Sequence, residues 1–249
     1  MSSVPAAGST VFRWTSASAT TAGKVREVNE DSSLDMPAAG LWVVADGMGG
    51  HNAGDVASRM IAEALSGVRP RDRPSQFVDD VEDRLLAVNA ELFGRSAEGG
   101  LSGSTVAALL AFGRYTLCLW AGDSRIYRCR GTQLEQVTRD HSEVEENRDL
   151  GTGGGAANVI TRAVGGAAEL HLDVELRTLR DGDHYLLCSD GLFKELSDAQ
   201  IAQVLAREEP RAACKRLIEY AMAGQCADNV TVVAVQFRQG SRGPGGPGS

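Results

Sequence analysis

Nowhere in the 249 residues does an apolar run reach the roughly 18 needed to span a membrane. The opening MSSVPAAGST lacks both the basic start and the apolar stretch of a secretory signal, so the sequence predicts a soluble, cytoplasmic protein. There is no CxxC pair and no Cys/His cluster. The five cysteines, Cys118, Cys129, Cys188, Cys214 and Cys226, are odd in number, widely spaced and set mostly among apolar neighbours. That excludes a disulfide framework and predicts free, mostly buried thiols. Positive charge is scarce: 25 Lys and Arg against 33 Asp and Glu give a net charge of −8, which disfavours nucleic-acid backbones and anionic lipid as partners. No fixed-period repeat is present. What the chain does have is 43% hydrophobic residues over a length that suits one large domain, enough to bury a core and to exclude disorder throughout.

Residues 1–9 are expected to be flexible, 10–238 to form one domain, and 239–249 to be a disordered Gly/Pro-rich tail with nothing to pack. Strand-like runs dominate: VFRWTSAS, GLWVVAD, STVAALLAF, YTLCLWAGD, RIYRCR, LEQVT, HLDVELRTL, HYLLCSD and NVTVVAVQF. Gly113-Arg114 and Gly131-Thr132 each put two turn formers between such runs, which predicts antiparallel hairpins, since parallel strands need a long crossover. Four helices are expected. Val56, Met60, Ile61, Ala64, Leu65 and Val68 recur at helical spacing, as do Phe77, Val81, Leu85, Val88 and Leu92. Ser197 and Asp198 can cap a helix carrying Ile201, Val204 and Leu205, and a further helix after Pro210 carries Ala213, Leu217, Ile218 and Met222. Helix pairs between blocks of consecutive strands predict an α+β fold, two stacked antiparallel β-sheets flanked by pairs of helices, an αββα four-layer sandwich. Alternating βαβ units, and with them a dinucleotide fold, are disfavoured.

The informative feature is a set of acids at strand ends beside glycine. The apolar strand Leu41 to Ala45 is expected to stop at Asp46-Gly47, another at Asp190-Gly191, and a third delivers Asp123; Asp228 precedes the last strand, and Glu30-Asp31 follow the first. A single Asp-Gly is ordinarily just a turn. Several acids ending hydrophobic strands would pay for desolvation and repel one another unless positive charge compensates them. Oxygen-only ligands without Cys or His select hard ions, Mg²⁺ or Mn²⁺.

The segments GKVREVNED, VVADGMGGHNAGDVAS, SGSTVAALL, AGDSRIY, TRDHS, NVITRAVGG, YLLCSDGL and ADNVTVVAV, in this order, resemble the metal-dependent type 2C protein serine/threonine phosphatases in their bacterial form. The resemblance runs from about Gly23 to Val235. It implies two Mn²⁺ or Mg²⁺ ions per subunit, bridged by Asp46, with the Gly47 carbonyl on one of them, Asp190 and Asp228 on the first, and Glu30 on the second through water. Asp123 with Asp190 would hold a third, weaker ion, Asp31 would orient the cluster from behind, and Arg26 would grip the substrate phosphate. Hydrolysis of phosphoserine and phosphothreonine in proteins follows as the implied activity, with Arg26, Asp46, Asp190 and Asp228 as its catalytic set, a monomer as its form and a bacterial Ser/Thr kinase as its opponent. A surface pair of Arg26 with Glu30 or Asp31 is the bland alternative for that arginine.

Three departures stand out. Met48 occupies the position where some relatives carry a leaving-group histidine, which leaves His51 as a candidate acid and equally as a capping residue. Lys194 stands where the family commonly has an acid, and is expected to weaken the third ion. The segment between His141 and Asn158 is short and ends in GTGGGAA, where relatives usually carry a helical stretch. It lacks the Lys-Ser/Thr sequel of a phosphate loop. These features keep open a second reading, a catalytically weak phosphoprotein-binding or sensor domain on the same scaffold. A metal-dependent nuclease or phosphodiesterase fits poorly with the acidic charge.

Overall fold

The computed structural model describes residues 12–49, 53–71, 73–96, 102–149 and 159–240. The expected flexible start, His51, the GTGGGAA segment and residues 241–249 of the expected tail lie outside these.

Two antiparallel sheets stack face to face. The first has the order β1 (Phe12–Thr21), β11 (Val230–Gln239), β10 (His184–Cys188), β7 (Arg125–Arg130), β8 (Gln133–Gln136). The second runs β2 (Asp31–Met36), β3 (Leu41–Gly49), β5 (Val106–Phe112), β6 (Tyr115–Ala121), β9 (Asp173–Thr178), with β4 (Ser102–Ser104) on the end of β3. Helices α1 (Ala53–Ser66) and α2 (Pro74–Ser96) cover the second sheet, and α4 (Asp190–Glu195), α5 (Asp198–Leu205) and α6 (Pro210–Ala223) cover the first. A short α3 (Glu143–Asp149) follows β8. No described helix is long and apolar enough to cross a membrane.

The four layers follow from strands that are apolar on both faces. Successive side chains of a strand point to opposite sides. Leu41, Val43 and Ala45 of β3 therefore meet the helices while Trp42 and Val44 meet the other sheet. In β11 the same alternation sends Val230, Val232 and Ala234 to α4–α6, and Val233, Val235 and Phe237 to the intersheet core. Trp14, Trp42, Tyr185 and Phe237 lock that core by edge-on ring contacts of 5.6–6.0 Å. In α2 the expected stripe Phe77, Val81, Leu85, Val88 and Leu92 is buried throughout. Pro210 opens α6 at its first turn, where its missing N–H costs nothing. All five cysteines are free and buried.

The structure departs from the sequence reading in five places. Strand β3 does not stop at Asp46: it continues to Gly49, because Gly47 and Met48 find new partners in Ser104 and Gly103 of β4. Strand β2 was not expected, since DSSLDM is too polar to signal a strand; its Asp35 carboxylate accepts hydrogen bonds from Ser16 of the other sheet and from the Trp42 indole. The Asp190-Gly191 step opens a helical turn rather than a loop, and the segment after His141 holds α3. Gln239, placed in the tail by the sequence, is the last residue of β11 and pairs with Phe12.

Candidate active site

The register of β2 against β3 puts Asp31 directly opposite Asp46. The Asp46 peptide is fixed at both ends: its N–H donates to Thr105 Oγ1 at 3.0 Å, and its carbonyl accepts from the Thr105 N–H at 2.9 Å and Ser104 Oγ at 3.0 Å. Both Asp-Gly steps need their glycine for the same reason. A Cβ on Gly47 would collide with the Gly54 carbonyl, and one on Gly191 with the Asn229 carbonyl. The glycines let two other stretches of backbone cross beside the acids, and the second crossing brings Asp190 beside Asp228.

Asn229 is the latch of this end of the sandwich. Its Oδ1 accepts the Glu30 N–H at 2.9 Å, and its Nδ2 donates to the carbonyls of Ala22 and Val28, each at 3.1 Å. The loop carrying Arg26 and Glu30 is thereby tied to the start of β11. Ser189 does the same for Asp31: its Oγ donates to Asp31 Oδ2 at 2.7 Å and accepts the Thr231 N–H at 2.9 Å. Sequence reasoning missed both residues, although each adjoins an acid it singled out. Buried His141 accepts the Gly122 N–H on Nδ1 at 3.1 Å and meets Asp173 through Nε2, which steadies the turn presenting Asp123.

Asp31, Asp46, Asp123, Asp190 and Asp228 share one electrostatic neighbourhood. Burial, then the charges of Asp31, Asp190, Asp123 and Asp228, pushes the Asp46 carboxyl well above its ordinary value. Burial also raises Asp31 to about 6, against the opposing hydrogen bonds of Ser189 and Thr231. It raises Asp123 to about 7, with help from the charges of Asp190 and Asp140. Asp190 is raised by burial in spite of Lys194. Glu30 Oε1 lies over Gly54 in the first turn of α1, where a Cβ would meet it at 2.6 Å.

These carboxylates are gathered but not drawn tight. Among the described residues no three acid, His or Cys side chains close to metal-ligating distance. Two side-chain cations stand among them instead. Arg26 meets Asp228 Oδ1 at 3.0 Å, rather than Glu30 or Asp31 as a surface pairing would have it. Lys194 meets Asp190 Oδ2 and lies 3.4 Å from Asp228 Oδ2. Yet among the described residues Asp31 Oδ1, Asp123 Oδ1 and Asp190 Oδ1, like Asp55 Oδ1 in α1, are buried with no hydrogen-bond donor. Buried carboxylate oxygens without donors, in an all-oxygen set, are what a hard divalent ion would satisfy. The residues present fit such a group. Next to them Met48 lines a pocket of about 250 Å³ with Thr161, Arg162, Glu169 and His171.

A four-layer αββα sandwich with a buried, all-oxygen acidic cluster is the arrangement that the resemblance to the type 2C phosphatases implies. The profile of the family "Protein phosphatase 2C" matches residues 22–222. The chain belongs to that family. It is 36% identical over 221 residues to the serine/threonine protein phosphatase PstP of Mycobacterium tuberculosis, covering 85% of this chain and 42% of that protein's length. It is 30% identical over 213 residues to the protein phosphatase PhpP of Streptococcus pneumoniae, covering 80% of this chain and 86% of that one. Among solved structures, PppA, described as a key regulatory component of T6SS in Pseudomonas aeruginosa, superposes with a TM-score of 0.86 at 41% identity, over 91% of this chain and 98% of that one. The catalytic domain of PstP, solved with 2 manganese ions, superposes with a TM-score of 0.82 at 34% identity, over 92% of this chain and 100% of that one.

Proposed function

We propose that this chain is a divalent-metal-dependent phosphatase acting on phosphoserine and phosphothreonine in proteins, in opposition to a Ser/Thr kinase. The observation that carries the reading is the set of buried, mutually repelling carboxylates of Asp31, Asp46, Asp123 and Asp190, in which Asp123 Oδ1 and Asp190 Oδ1 have no donor among the described residues. The manganese in the PstP catalytic domain and the phosphatase names of the relatives support it. Asp46, Asp190, Asp228, the Gly47 carbonyl and, through water, Glu30 would hold two ions, Mn²⁺ or Mg²⁺, and Asp123 with Asp190 would offer a third site. When bound, the two ions supply an acidified water as nucleophile and neutralise the phosphoryl oxygens.

The chain's own residues do the rest. Asp31, fixed by Ser189, keeps a negative charge behind Asp46 and orients it. Arg26 lies half exposed at the mouth, with one of its nitrogens on Asp228. Transferred to the substrate, its planar fork matches two phosphoryl oxygens, a geometry that lysine cannot reproduce. His51, outside the described residues, is the candidate for protonating the leaving serine or threonine oxygen. One catalytic domain, monomeric and acting in the cytoplasm, completes the proposal.

The contacts of Lys194 with Asp190 and Asp228 favour a second reading, a weakly catalytic domain that binds phosphoproteins. One experiment separates the two: phosphate release from a panel of phosphothreonine and phosphoserine peptides with Mn²⁺, alongside chelator and Asp190→Asn controls. The phosphatase reading expects release that chelator abolishes and Asp190→Asn reduces by most of its value. Turnover unchanged in the variant refutes it.

A further inference from the structure

Lys194 lies one helical turn beyond Asp190 in α4, so its stem runs back along the helix face toward that carboxylate. Its ammonium meets Asp190 Oδ2 and stands 3.4 Å from Asp228 Oδ2. It therefore bridges Asp190 and Asp228, and its charge also reaches Asp123, the partner of Asp190 in the expected third site. The spacing of that edge is set by backbone, because Gly191 packs against the Asn229 carbonyl. The remaining oxygens are accounted for differently: Asp228 Oδ1 is held by Arg26, while Asp190 Oδ1 is buried without a donor. The Lys194 side chain is 47% exposed, so its flexible stem has solvent to swing into.

We infer that Lys194 is a tethered counter-cation: it holds the Asp190 and Asp228 carboxylates together in the metal-free chain and competes with the divalent ion for them, which raises the metal concentration the site requires. The inference rests on the two-ion reading above. Two like-charged carboxylates at fixed spacing need a cation. Lysine supplies one that is always at hand, whereas a divalent ion must displace it or tolerate its charge a few ångströms away.

The test is Mn²⁺ uptake by the metal-free protein, followed by the electron paramagnetic resonance signal of the free ion, with no turnover involved. Lys194→Met and Lys194→Gln should bind their tightest Mn²⁺ about tenfold more strongly than wild type, a modest factor because the ammonium is half exposed and screened. Lys194→Arg, which keeps the charge, should stay within about twofold of wild type. In chelator, Lys194→Met should melt below wild type, and saturating Mn²⁺ should remove the difference. Folded neutral variants, by circular dichroism, whose Mn²⁺ affinity equals or falls below that of wild type overturn the inference and leave the metal reading intact. A lack of Mn²⁺ uptake by wild type and both neutral variants overturns the two together.

Discussion

Replacing Asp123 with asparagine is expected to make the chelated protein more stable, and by an amount that depends on pH in a defined direction. Asp123 is 7% exposed, its Oδ1 has no donor, and burial with the charges of Asp190 and Asp140 raises its carboxyl from 3.8 to about 7. An acid whose folded value lies above its unfolded value favours the native state when protonated. Its contribution is complete below about pH 4 and is lost as the pH climbs to about 7. At 1.36 kcal/mol for each tenfold change in proton affinity, the full loss is about 4 kcal/mol, and neighbouring titrations reduce the measurable part to about 2–4 kcal/mol. Asparagine is neutral throughout and so escapes the loss. Urea denaturation in chelator at a series of pH values, comparing wild type with Asp123→Asn, should show near-equal stability at pH 4. The advantage of the variant should then grow to pH 7 and level off. Taking the difference between the two proteins cancels acids that behave in the opposite sense, such as Asp80, whose carboxyl is lowered by its hydrogen bond from Arg84. A variant no more stable than wild type at pH 7.5 in chelator, or an advantage that shrinks with rising pH, would refute the reasoning.

Two further substitutions probe the mouth and the latch. If Arg26 grips the substrate phosphate in the ground state, as proposed, Arg26→Ala should raise KM more than it lowers kcat in steady-state assays on a phosphopeptide; a fall in kcat alone contradicts that role. Asn229→Ala removes three hydrogen bonds from a side chain that joins the 22–30 loop to β11. It should cost about 2–4 kcal/mol in urea denaturation and expose the loop to proteolysis, whereas unaltered cleavage there would show that the latch is dispensable.

The layers were legible because their signal is redundant. Each central strand is apolar on both faces, α2 carries an unbroken stripe, and the hairpin turns Gly113-Arg114 and Gly131-Thr132 join the strands they were expected to join. Elements without that redundancy escaped: β2 is polar, α3 and α4 are about two turns or less, and β3 outruns its apolar run because β4 waits for it. Of the site, Asp46, Asp123 and Asp190 could be named from their positions beside glycine, since the backbone crossings at Gly47 and Gly191 leave a local trace. Asn229 and Ser189 act on groups far away in sequence, Asn229 on Ala22, Val28 and Glu30 and Ser189 on Asp31, and no local pattern announces a partner some 158 or 200 residues distant. Lys194 was noticed as an oddity. Its place between Asp190 and Asp228 follows only from the fold.

The placement of the cluster explains how the fold tolerates it. The like-charged acids lie at the start of β2, on β3 just past its apolar run, and in the turns that flank β6, β10 and β11, so the intersheet aromatics and both helix-facing cores are apolar and carry no share of the repulsion. Repulsion concentrated at one end acts on few contacts, and those are the latches of Asn229, Ser189 and the Thr105 hydroxyl, each a polar tie that holds backbone rather than the carboxylate oxygens required for an ion, save the single Ser189 bond to Asp31 Oδ2. Strengthening those ties should therefore stabilise the protein without dulling the site, whereas neutralising an acid should stabilise the chelated protein at the direct expense of metal affinity. Asp123 and Lys194 test the two sides of that relation: removing a buried negative charge and removing the cation that offsets one should move metal-free stability in opposite directions.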